Sequence, residues 1–150
     1  MRRPAVLLLL LTGLTCVIRA DDIPPQLRTR AEATGFEETS RAEDVGRVLA
    51  ALAAASPLVT VTEFGRSEEG RSLPIAVLST SRVETPADAR RTGRIRVLVL
   101  ANIHAGEVEG KEAALIIARR LVLGDLRPLL SRLVVLVAPR SPCSRCRADR

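Results

Sequence analysis

The chain has 150 residues, 47% of them apolar, and a formal net charge of +6 from 23 Lys and Arg against 17 Asp and Glu. That much apolar side chain supplies a core for one domain and excludes an intrinsically disordered protein. Between Asp21 and Pro139 basic and acidic residues balance at sixteen each, and the chain has two Phe, no Tyr and no Trp, so it lacks both a basic stripe to follow phosphates and a platform to stack bases, and nucleic acid is excluded as a partner.

The excess positive charge lies at the two ends. At the N-terminus, "MRRPAVLLLLLTGLTCVIRADD" opens with Arg2 and Arg3 and continues as an apolar run from Ala5 to Leu11 that persists weakly to Ile18. It reaches the small residue Ala20 just before Asp21 and Asp22. This order of basic, apolar and small residues predicts a signal peptide over residues 1–20, cleavage near Ala20, and export to a secreted or periplasmic location. The run is shorter than the ~20 apolar residues of a spanning helix, so no stable membrane anchor is expected once it is removed. Gly13, Leu14 and Thr15 are a poor approach to a lipidated cysteine at Cys16.

Residues 21–35 are polar and carry Pro24 and Pro25, which predicts an extended lead-in. In "SRAEDVGRVLAALAAAS", Ser40 with Glu43 three residues on predicts a capping box, and Val45, Val48, Leu49 and Leu52 recur at helical spacing with one face inward. Two β-rich runs follow, Leu58–Phe64 and Leu73–Ser79, joined by a charged, glycine-punctuated connection as in an antiparallel pair. Residues 80–93, with Pro86 and Gly93, read as a polar loop. The compact apolar run "RIRVLVLANI" predicts a strand over 94–101, covered on both faces and central to its sheet. A helix is expected from Glu107 to Leu123, with Gly124 at its stop, and a last strand over 132–138.

Between that strand and that helix lies "HAGE". His104 is the only histidine of the chain; it follows the C-terminal end of a strand, and Glu107 begins the next helix. In open α/β sheets this is the edge where ligands collect. A strand-to-helix turn lets side chains three apart converge, and imidazole and carboxylate are both good zinc donors. For the bare pair a plainer reading is preferred, in which Glu107 complements the positive end of the helix dipole and His104 is an ordinary loop residue.

In order along the chain, "FGRSEEGRSLPIAVLS" at 64–79, the strand "IRVLVLANI", "HAGEVEGKEAAL" at 104–115 and the strand "LVVLVAP" at 133–139 resemble the zinc carboxypeptidases of the carboxypeptidase A type. The resemblance implies an α/β fold, a mixed and mostly parallel sheet flanked by helices, eight-stranded in the full family domain. Residues 36–139 are then the N-terminal portion of that domain, truncated. It further implies that His104 and Glu107 are the first two zinc ligands, that zinc is the cofactor, and that the family reaction is removal of C-terminal residues from peptide substrates.

The departures are as specific as the resemblance. The family's third ligand is a second histidine and its substrate-capping residue a tyrosine, and this polypeptide has one His and no Tyr. No local Glu matches the motif of the family's general base. After Pro139, where substrate-binding arginines belong, the chain reads "RSPCSRCRADR", so residues 140–150 are expected to be an aberrant basic tail, as a frameshift or misplaced gene end would produce. Cys143 and Cys146 within it are open to a local disulfide, a redox pair or half of a zinc site. Weak zinc binding and no peptidase activity are therefore expected, with no catalytic residue assigned. A four-stranded remnant would leave apolar surface uncovered. The alternative is a non-catalytic exported fragment or small binding protein.

Overall fold

The computed structural model describes residues 23–104 and 106–140. The signal peptide expected over 1–20, Cys16, and the basic tail with Cys143 and Cys146, apart from Arg140, lie outside them. Among the described residues, four helices and four strands run in the order α1 (Arg30–Ala33), α2 (Ala42–Ala55), β1 (Val59–Arg66), β2 (Ser72–Leu78), α3 (Pro86–Arg91), β3 (Ile95–Leu100), α4 (Val108–Leu123) and β4 (Leu133–Ala138). Short 3₁₀ turns occupy Pro25–Leu27 and Arg127–Ser131.

The strands form one mixed sheet in the order β1-β2-β4-β3. β1 and β2 are antiparallel, as are β2 and β4, and β3 runs parallel to β4 with α4 as the connection between them. This is the helix-flanked α/β sheet expected. On one face Ala76, Leu78, Val135 and Val137, with half-buried Val97 and Val99, meet Val45, Val48, Leu49 and Leu52 of α2 and Ala114, Leu115, Ala118 and Val122 of α4. The α2 residues expected to face inward are all fully buried. On the other face a small cluster of Val83, Ala89 and Val134, with Val77 and Leu136 against it, seats α3.

Three local expectations are corrected. Arg41, not Ser40, is the N-cap of α2: its N–H donates to Asp44 Oδ2 at 3.0 Å. Ser40 is instead buried against Glu112 of α4, to which its N–H and hydroxyl both donate. The stretch read as a loop over 80–93 contains α3, because Thr85 accepts from the Asp88 N–H, Asp88 accepts from the Thr85 N–H, and Pro86 sits at the first helical position. The lead-in is not extended: Pro25 starts a 3₁₀ turn, and Thr29 with Glu32 caps the single turn of α1.

The largest correction concerns the strand over 94–101. β3 is an edge of the described sheet, with Ile95 64%, Leu98 60% and Leu100 42% exposed. An unbroken apolar run shows that a strand is built for burial on both faces; it does not name the neighbours that bury it. The N–H groups of Ile95 and Ala101 donate to Arg132 O and Ala138 O. The alternation of a strand then turns the N–H and C=O of Arg96, Leu98 and Leu100 toward the open side.

A buried ion pair ties the N-terminal segment to this frame. Arg119 of α4 donates to Glu32 Oε2 at 2.7 Å and to Glu32 Oε1 at 2.5 Å, and also to Leu27 O at 2.8 Å. Their side chains are only 10% and 7% exposed. Burial alone would raise the Glu32 carboxyl, but the hydrogen bonds from Arg119 and Thr29 and the guanidinium charge outweigh it and hold the group below its ordinary 4.5.

Arg119→Met, which leaves the Glu32 carboxylate buried without its cation, is expected to cost about 3–5 kcal/mol of stability at pH 7. The wild-type contribution of Glu32 is fully present above its unfolded-state value and is lost as pH falls through the lower folded value. In the variant, burial raises the same group, so urea melts at pH 7 and pH 4 should show the gap between the two proteins narrowing in acid. For the open edge, Leu98→Lys should leave stability within about 0.5 kcal/mol while reducing self-association in sedimentation velocity; undiminished association would place the sticky surface elsewhere.

Candidate metal centre

The backbone turns sharply after β3. Ala101 is buried and still paired to β4, and Asn102 then adopts φ +53, a left-handed conformation that asparagine tolerates better than most residues. This reversal carries Ile103 and His104 off the end of the strand. Glu107 is the N-cap of α4, and its N–H donates to His104 O at 3.1 Å. The backbone bond closes a tight turn that places the two side chains over one another.

His104 Nδ1 lies 2.8 Å from Glu107 Oε1, with both side chains open to solvent. The hydrogen bond from His104 is the main reason that the Glu107 carboxyl sits below its ordinary value, slightly offset by desolvation. The structure thus brings together the two residues singled out in sequence, at the strand-to-helix edge where they were expected. Donors in a tetrahedral zinc shell, each about 2.0–2.1 Å from the metal, stand about 3.3 Å apart. A side-chain adjustment of about half an ångström would let Nδ1 and Oε1 share one ion, so this donor pair fits zinc in chemistry and position. It is a partial set: among the described residues no group of three or more His, Cys, Asp and Glu could hold a metal ion.

Other buried polar groups did not stand out in sequence. Asn102 Oδ1 is buried and has no hydrogen-bond partner among the described residues. Glu112, one and a half turns into α4, accepts from Thr39 and Ser40. The available signal was the inward stripe of α4 itself, where Glu112 and Arg119 occupy the same helical face as Leu115 and Val122. A charge on such a stripe announces a buried partner, although its position alone does not say which.

Comparison with known proteins places this geometry in context. The family model for zinc carboxypeptidases matches residues 45–140. Among solved structures, the chain is similar to carboxypeptidase A from Helicoverpa armigera, with a TM-score of 0.60 and 26% identity over 71% of this chain and 25% of that one. It is also similar to a metallo-carboxypeptidase from Burkholderia cenocepacia, with a TM-score of 0.51 and 25% identity over 68% of this chain and 28% of that one. A carboxypeptidase-like protein from Burkholderia mallei shares the fold, with a TM-score of 0.59, 24% identity, and coverage of 74% of this chain and 28% of that one. The chain therefore spans little more than a quarter of the length of these structures. A comparison with curated proteins finds no match. The match over residues 45–140, on a sheet of the same fold, shows that the chain belongs to the zinc carboxypeptidase family.

Proposed function

We propose that residues 36–139 are a carboxypeptidase-like domain portion, exported by a signal peptide at 1–20, in which His104 and Glu107 hold zinc weakly as two protein ligands of an incomplete shell. The observation that carries this reading is the 2.8 Å convergence of Nδ1 and Oε1 at the end of β3. When bound, zinc supplies Lewis-acid polarisation of a peptide carbonyl. Glu107, an exposed carboxyl, is ionised at neutral pH, and the hydrogen bond from His104 lowers its value further.

Residues 1–150 carry only these two of the groups that the resemblance implies for peptide hydrolysis. The one histidine is used as a ligand, so none remains for a third position, and no tyrosine is available to cap a substrate. A general base must stand within hydrogen-bond reach of the proton it takes, and His104 and Glu107 are both committed to the ion. Removal of C-terminal residues from peptides, the reaction that the family resemblance implies, is accordingly not expected of residues 1–150 by themselves. No helix among the described residues is long and apolar enough to cross a membrane. The exposed apolar edge at β3 favours a second reading, a non-catalytic exported module that associates through its sheet.

Zinc titration monitored on the ring protons of the single histidine distinguishes these readings. Saturable shifts at weak affinity are expected for the wild type and should be lost in His104→Ala and Glu107→Ala when binding is followed calorimetrically, with no release of C-terminal residues from peptides. Tight stoichiometric zinc with peptide trimming would overturn the incomplete-shell reading, and zinc binding that persists unchanged in His104→Ala would remove the metal site altogether.

A further inference from the structure

The open side of β3 carries Arg96, Leu98 and Leu100, whose backbone groups face away from β4 because Ile95 and Ala101 are among those that bond to it. A row of unpaired N–H and C=O groups is a template for another strand. Its side chains are as open as its backbone. Arg96, Leu98 and Leu100 lie on the α3 side of the sheet, in register with Val134, Leu136 and Ala138, while Ile95, Val97 and Val99 lie on the side of α2 and α4.

The only charged side chain within β3 is that of Arg96, and it selects how a like strand could lie here. A second copy laid parallel and in register would set Arg96 beside its own equivalent on a strand about 4.8 Å away, and like charges directly opposite are destabilising. A second copy laid antiparallel about a two-fold axis at Leu98 sets Leu98 against Leu98 and Arg96 against Leu100 of the other molecule. The two Arg96 positions are then about 14 Å apart, at ~3.4 Å per residue along the strand, beyond the ~8 Å screening length of physiological salt. On the helix side Val97 meets Val99 of the other copy and Ile95 meets Ala101, so apolar side chains oppose one another there as well.

This register also pairs every open N–H and C=O of Arg96, Leu98 and Leu100 on both molecules. Moving the axis by one residue does not. It sets Leu100 against Arg94, whose N–H is already given to Thr92 Oγ1 at 3.2 Å, or Arg96 against Asn102, which has turned off the strand at φ +53. We propose that β3 is the docking surface for a second copy of this chain, the two β3 strands running antiparallel about Leu98 so that one sheet continues across both molecules. This deepens the second reading above, association through the sheet, and makes no use of the metal.

The test uses the full chain and two readouts: the dimer dissociation constant from sedimentation equilibrium, and amide exchange at Arg96, Leu98 and Leu100 at low and high protein concentration. In the wild type these three amides are expected to exchange at least tenfold more slowly at the higher concentration. Leu100→Lys places its cation opposite Arg96 of the other copy and should weaken the dimer at least tenfold, whereas Leu100→Glu places a carboxylate there and should stay within threefold of wild type. Leu98→Lys, which faces itself across the axis, should weaken it at least tenfold. Equal losses in Leu100→Lys and Leu100→Glu, with the three amides still protected, overturn the two-fold register and leave association through the sheet standing. A wild type that is monomeric up to its solubility limit, or that associates with those amides unprotected, overturns the proposal and the second reading together. If a Leu100 variant does not fold, the wild-type exchange data, which need no substitution, decide whether β3 docks a second copy.

Discussion

The structure depends on how one helix is held. α4 joins the two parallel strands, covers the principal face of the sheet and presents Glu107 at its start, so an error in its placement reaches both core and site. Its buried residues combine small and branched apolar side chains with three charged ones, Lys111, Glu112 and Arg119. Charges so placed are costly unless fully hydrogen-bonded. Here Arg119 finds a carboxylate and a carbonyl, and Glu112 finds two hydroxyls and an N–H. These bonds reach across more than seventy residues of chain, to a segment that composition alone would set aside as a lead-in. The segment before α2 thus works as the strap that keeps α4 in place.

Much of this was legible before any coordinates. Periodicity placed α2 and its four inward residues, β-branched runs placed all four strands within a residue or two, and the hairpin orientation followed from a short charged connection. Gly124 was expected at the end of α4 and is its C-cap, in an extended rather than left-handed conformation; a Cβ there would stand 3.0 Å from Arg120 Cα, so close approach is what asks for glycine. Failures arose where local pattern met a distant partner. Ser40 looks like a cap because of its neighbours, and only Glu112, far along the chain, diverts it. Residues 94–101 look central because they are apolar throughout, whereas strand order depends on which other strands are present.

The site was legible to a similar depth. A lone His and a Glu three apart carry little information, and the ordered runs around them carry much more, which the family match over residues 45–140 bears out. What pattern alone missed was local geometry: the left-handed turn at Asn102 and the backbone bond from Glu107 to His104. Such features are defined by angles and distances between parts of the chain, and short motifs encode them only when glycine or proline is required.

The two borders of the sheet are not alike. β1 is kinked by the irregularity between Glu63 and Gly65 and lined by the charges of Glu63 and Arg66, the kind of feature that discourages strand addition. β3 has no such guard along Leu98–Leu100. The unguarded side is thus the one through which strand addition would proceed, and it ends at the turn that carries His104.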